Sequence, residues 1–177
     1  MYHLEREINV QPEVITRLIN EQDATAKTIA KAIRDFQPTF VSIAARGTSD
    51  NAGRYAQYLI GIEADLPVAL ATPSIHTLYE SPPNLSKALV IGISQSGRSE
   101  DIFRVISDAR EQGALTVSIT NNAESRIAQV AEYHLDLSAG EEIAVAATKT
   151  YTAQLTAIAM MVTALTDKTH LIDSLVK

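Results

Sequence analysis

The chain has 177 residues, 46% of them hydrophobic and 20% charged, with a formal net charge of −6 and no cysteine. That length and apolar content suffice for one domain with a sizeable core and argue against wholesale disorder. The lack of cysteine excludes disulfides, thiolate nucleophiles and cysteine-ligated zinc, and an acidic chain without a basic tract argues against general nucleic-acid binding.

The first residues carry Glu5, Arg6 and Glu7 and no apolar signal core. Val14, Ile15, Leu18 and Ile19 then fall at helical spacing behind Pro12, a good first-turn residue. A second helical stretch is expected over 23–35, and Pro38 ends it. The texture next turns short, apolar and partly β-branched. Strands are expected at 40–45, 68–71, 88–93, 114–119 and 133–137. Between them lie helical runs at 51–62, 74–79, 99–112 and 124–131, and Gly113 suits a helix C-terminus. A long helix over 148–165 and a short one over 171–176 complete the chain. The apolar run at 155–165 is broken by threonines and too short to span a bilayer, so no membrane association is expected and the expected location is cytoplasmic.

Strands alternating with helices predict a three-layer α/β/α fold around a five-stranded parallel sheet. The flavodoxin-like order 2-1-3-4-5 is the simplest arrangement with right-handed crossovers. In that order strands one and three are neighbours whose chains depart in opposite directions. The crevice at their C-terminal ends is where open α/β sheets bind ligands. Two loops rich in glycine and hydroxyls follow those strands: Gly47, Thr48 and Ser49 after the first, and Ser94, Gln95, Ser96, Gly97 and Ser99 after the third. Hydroxyls and helix N-terminal N–H groups suit a phosphate, and Gly97 allows close backbone approach. The competing reading is that Ser49 and Ser99 only cap helices. Arg98 either adds charge to the ligand or pairs with Glu100 or Asp101.

Together these residues resemble a known family. Arg46, Gly47, Thr48, Ser49, Asp50, Asn51, Ala52 and Gly53, with the run from Ile93 through Ser94, Gln95, Ser96, Gly97, Arg98 and Ser99 to Glu100 and Asp101, resemble the sugar isomerase (SIS) domain. The likeness is closest to the first SIS domain of the glutamine–fructose-6-phosphate aminotransferases. Glu7, Ile8, Gln11 and Pro12, the stretch 139–149, and Thr152 with Ala153, Gln154 and Leu155 extend it along nearly the whole chain. The resemblance implies that Thr48, Ser94, Gln95, Ser96 and Ser99 contact a hexose or hexosamine 6-phosphate, with Ser49 and Gly97 beside them. It implies that Gly47, Val145 and Ala147 line the sugar pocket. Lys149 is expected to turn toward the ligand or an acidic side chain. One departure concerns the substrate: Arg98 and Ser99 stand where the aminotransferases carry an acidic residue and a threonine.

The resemblance also implies what this chain does not carry. The glutaminase nucleophile of the family is a cysteine, and the proton-transfer base and ring-opening histidine belong to the second SIS domain and the tail after it. The expected organisation is therefore a single SIS domain, with a helical segment at 1–37, an α/β core at 38–166 and a C-terminal helix at 167–177, forming the N-terminal half of a longer two-SIS protein. For a local base, Glu141 and Glu142 are the candidates, with solvated or helix-capping carboxylates as the competing reading. His76 and His134 are weaker; His3 and His170 complete the set, and no two histidines have metal-ligand spacing, so neither a metal nor a cofactor is expected. The expected function is the sugar-phosphate-binding part of an aminotransferase-like ketose/aldose isomerase. The alternatives are a sugar-phosphate-sensing module and a glutaminase-free amino-sugar-phosphate isomerase or deaminase. The wide apolar stripe of the last long helix is expected to mark an interface with a second copy or a second SIS domain.

Overall fold

The computed structural model describes residues 2–168; the expected helix at 171–176 and His170 lie outside them. Five parallel strands, β1 (Phe40–Ala45), β2 (Val68–Leu70), β3 (Ala88–Ser94), β4 (Leu115–Thr120) and β5 (Tyr133–Asp136), form one sheet in the order β2-β1-β3-β4-β5. The helices are α1 (His3–Asn9), α2 (Gln11–Phe36), α3 (Thr48–Glu63), α4 (Pro73–Thr77), α5 (Glu100–Glu111), α6 (Arg126–Val130) and α7 (Lys149–Thr166).

Every residue of β3 and β4 is buried, as expected of central strands covered on both faces. Alternation then sorts their side chains. Leu89, Ile91, Ile93, Val117 and Ile119 join a core with α2, α3 and α7. Ala88 and Val90 face the other way, toward Ile102, Val105, Ile106 and Ala109 of α5 and Ile127 of α6. The five strands and their order match the sequence expectation.

Three expectations change. The stretches 12–19 and 23–35 are one 26-residue helix, α2. Its buried stripe runs through Val14, Leu18, Ala26, Ile29, Ala30 and Ile33, and the partly buried Gln22 and Thr25 continue it where the sequence looked interrupted. The helix expected at 51–62 begins at Thr48, so Thr48 and Ser49 lie in its first turn. Finally, the apolar width of α7 is used inside the molecule. α7 packs on α2 and α3 as well as under the sheet, burying Ala153, Ala157, Ile158, Met161 and Val162. That stripe therefore does not mark an exposed interface.

Candidate functional site

β1 and β3 pair along their length, ending at Ala45 opposite Ile93. Beyond that pair the chain turns outward to β2 on one side and β4 on the other, and a cleft of about 270 Å³ opens between the two exits. Thr48, Ser49, Ser94, Gln95, Ser96 and Ser99 all line it. Val145 and Ala147 line it from the loop before α7. Gly47 and Gly97 lie at the exits of β1 and β3 but do not line the cleft.

Each loop is folded by its own small residues. Gly47 has φ 58° and ψ −131°, a conformation open to glycine, and this turns β1 directly into α3. Gly97 has φ +65°, and a Cβ there would lie 2.1 Å from Ser125 Oγ. Ser94 Oγ accepts a hydrogen bond from Gly97 N at 3.2 Å, and Ser96 Oγ accepts one from Arg98 N at 3.4 Å. Gln95 O accepts from Asn121 N, tying the second loop to the exit of β4.

The capping alternative fits Ser99 by position and Ser49 not at all. Gly47 holds the cap position of α3, and Ser49 Oγ accepts instead from Gln154 Nε2 of α7 at 3.0 Å. Ser99 holds the cap position of α5, but its hydroxyl makes no capping bond. Two helices of 16 and 12 residues thus start at the cleft, where the first N–H groups of each have no partner one turn back.

The cation on the cleft wall is Arg46, which the sequence reading did not single out although it is the first residue past β1. Its Nε and Nη2 donate to Asp101 Oδ2 at 3.0 and 2.6 Å, joining the two loops across the crevice. Arg98 is exposed and takes neither acidic partner, since Asp101 is held by Arg46 and Glu100 by Arg126 at 2.6 Å. Tyr151 and Gln154 of α7 also line the cleft. Gln154 is buried, and its Oε1 has no partner among the described residues.

The two candidate carboxylates separate. Glu142 lines the cleft, but its Oε1 accepts from Thr148 N at 3.0 Å and Thr150 N at 3.2 Å, and its Oε2 from the Thr150 hydroxyl. It caps α7. Glu141 is exposed and lies outside the cleft wall. Lys149 turns neither to the cleft nor to an acidic side chain; its ammonium donates to the Glu141 carbonyl at 2.7 Å. The histidines sit elsewhere. His76 is buried against Asp108 at 2.8 Å, and His134 Nδ1 of β5 meets Ser118 Oγ of β4 at 3.0 Å. Among the described residues no group of three or more His, Asp or Glu side chains could hold a metal ion, and no helix is long and apolar enough to cross a membrane.

Residues 40–164 match the family model described as SIS domain. A glutamine–fructose-6-phosphate aminotransferase (isomerizing) of Aquifex aeolicus (strain VF5) is 39% identical over 153 residues, covering 86% of this chain and 25% of that protein. Among solved structures, a phosphosugar isomerase of Silicibacter pomeroyi DSS-3 superposes with a TM-score of 0.95 at 35% identity, covering 99% of this chain and 54% of the other. The C-terminal domain of a glucosamine-fructose-6-phosphate aminotransferase from Francisella tularensis superposes with a TM-score of 0.80 at 27% identity, covering 98% of this chain and 49% of that one. The chain spans about a quarter of the length of the curated relatives it matches and about half of these two solved chains.

Proposed function

The chain belongs to the SIS domain family, and from that premise we propose that its cleft binds a hexose or hexosamine 6-phosphate, with the phosphate between the two hydroxyl loops. The observation that carries this reading is the uncommitted hydroxyl of Ser99, at the start of a helix but making no capping bond, in the same cleft as Thr48, Ser94 and Ser96. Hydroxyl donors and two helix N-termini together suit a dianion without an opposing metal. Arg46 adds a positive charge already positioned by Asp101. The sugar lies toward Val145 and Ala147, where loop backbone rather than charged side chains meets its hydroxyls.

The role within catalysis is binding and orientation. Glu142 is the one carboxylate on the cleft wall among the described residues, and its oxygens are taken up in capping α7. A general base needs a free ionisable group near the carbon it deprotonates. We therefore assign proton transfer to a second SIS unit, in the same polypeptide or another copy. The engagement of Glu142 equally favours a second reading, a module that reports sugar-phosphate levels to a partner.

Fructose 6-phosphate and glucosamine 6-phosphate are expected to raise the melting temperature, and unphosphorylated fructose and glucosamine to leave it unchanged. Binding to the folded state alone stabilises by about 2.7 kcal/mol at a hundredfold excess over Kd. No shift with millimolar sugar phosphate contradicts the binding reading. The same samples, followed by proton NMR, are expected to show no aldose–ketose interconversion by this chain alone; steady turnover free of contaminating isomerase overturns the assignment of proton transfer elsewhere.

A further inference from the structure

α1 is exposed along its whole length except at Glu7, which is 4% exposed. A lone buried carboxylate on an otherwise solvated helix needs partners, and these come from the far end of the sequence. Glu7 Oε1 accepts from Ile143 N at 2.6 Å and from Ala144 N at 3.3 Å, while Oε2 accepts from Ala144 N at 3.2 Å. Those two amides belong to the loop whose next residue, Val145, lines the cleft, as Ala144 itself does. The loop has little else to hold it there: Ile143 is 57% exposed and Val145 fully exposed. The residues just before it are fixed by Glu142, which caps α7, and by the Lys149 bond to the Glu141 carbonyl.

We propose that Glu7 is a positioning residue for the sugar side of the cleft, setting the height of the Ala144–Val145 backbone over the bound ligand from outside the site. This rests on the sugar-phosphate reading above. The phosphate side does not depend on Glu7, because both hydroxyl loops are held by β1, β3, Gly97 and Asn121. Removing Glu7 should therefore loosen the grip on the sugar and leave the grip on phosphate.

The test is calorimetric titration of glucosamine 6-phosphate and of inorganic phosphate into the wild-type, Glu7→Ala and Glu7→Gln chains. In Glu7→Ala, glucosamine 6-phosphate binding is expected to weaken about tenfold, the scale of lost charge-assisted hydrogen bonds, with inorganic phosphate binding unchanged. Glu7→Gln keeps an amide oxygen for Ile143 N and Ala144 N, so it should recover most of the loss. Unchanged glucosamine 6-phosphate affinity in Glu7→Ala overturns the inference. So does an equal loss for both ligands, which marks a residue that only supports the fold. If the wild-type chain binds neither probe, the binding reading falls, and hydrogen exchange decides about Glu7 separately. Faster exchange of the amides at 143 and 144 in Glu7→Ala, largely restored in Glu7→Gln and with the sheet amides unaffected, supports a loop held by Glu7; unchanged exchange in Glu7→Ala refutes it.

Discussion

Gly97 has two separate reasons to be glycine, and both bear on the site. Its backbone is left-handed, and a Cβ would collide with Ser125, whose hydroxyl caps α6 by accepting from Ala128 N at 3.2 Å. Gly97→Ala should cost roughly 2–3 kcal/mol, combining about 1–2 for the backbone with about 1 for a displaced cap; urea unfolding measures it, and a loss under 0.5 kcal/mol contradicts this packing. A second prediction concerns Asp136 at the end of β5. His134, with its Nε2 3.6 Å away, is the main cause holding the Asp136 carboxyl below its ordinary range, and Ser138 N adds a 2.6 Å bond. A depressed folded pKa means stability present at neutral pH and lost as pH falls from the unfolded value of about 3.9 through the folded one. Asp136→Asn should thus destabilise at pH 7, with the gap to wild type narrowing as pH falls below about 4; a gap that stays constant refutes this role for the carboxylate. The two hydroxyl loops were legible at this scale because they are contiguous and follow apolar runs. The roles of Glu7 and Gln154 were not, because their partners lie 136 and 105 residues away in sequence.

Among the elements, α2 does the most to close the fold. It lies over α7 and also reaches β5. Leu18 and Ile29 are fully buried in that layer, and Arg34 Nη1 donates to the Ala164 carbonyl near the end of α7. Leu18→Ala is expected to destabilise by about 2–5 kcal/mol, read from chemical denaturation; a value near zero means α2 is not anchored on α7 as described. The central strands were legible because parallel strands covered on both faces are apolar throughout, and β2 at the edge, with three intermediate or exposed residues, was legible as a short apolar run. α1 was not separated from the rest of the helical segment expected at 1–37, because a seven-residue helix with one buried residue has no apolar periodicity. The width of α7 was legible but its cause was not, since one helix's pattern does not say which other helix covers it.

At the scale of the whole molecule, a SIS fold brings two loops, two helix N-termini and the turn before α7 to one crevice, while the ionisable groups that suit acid–base work are engaged elsewhere. His76 is buried with Asp108, and Glu142 is a cap. On the reading proposed above, the cleft holds a phosphorylated sugar and proton transfer belongs to a second unit. The most direct measurement is calorimetric titration of fructose 6-phosphate into the wild-type chain and Ser99→Ala. Because the Ser99 hydroxyl makes no capping bond, its removal should leave the unliganded melting temperature within about 1 °C. If that hydroxyl binds the phosphate, affinity should fall about tenfold or more. Equal affinity in the two chains, or no binding to the wild type, would contradict a phosphate seated between these loops.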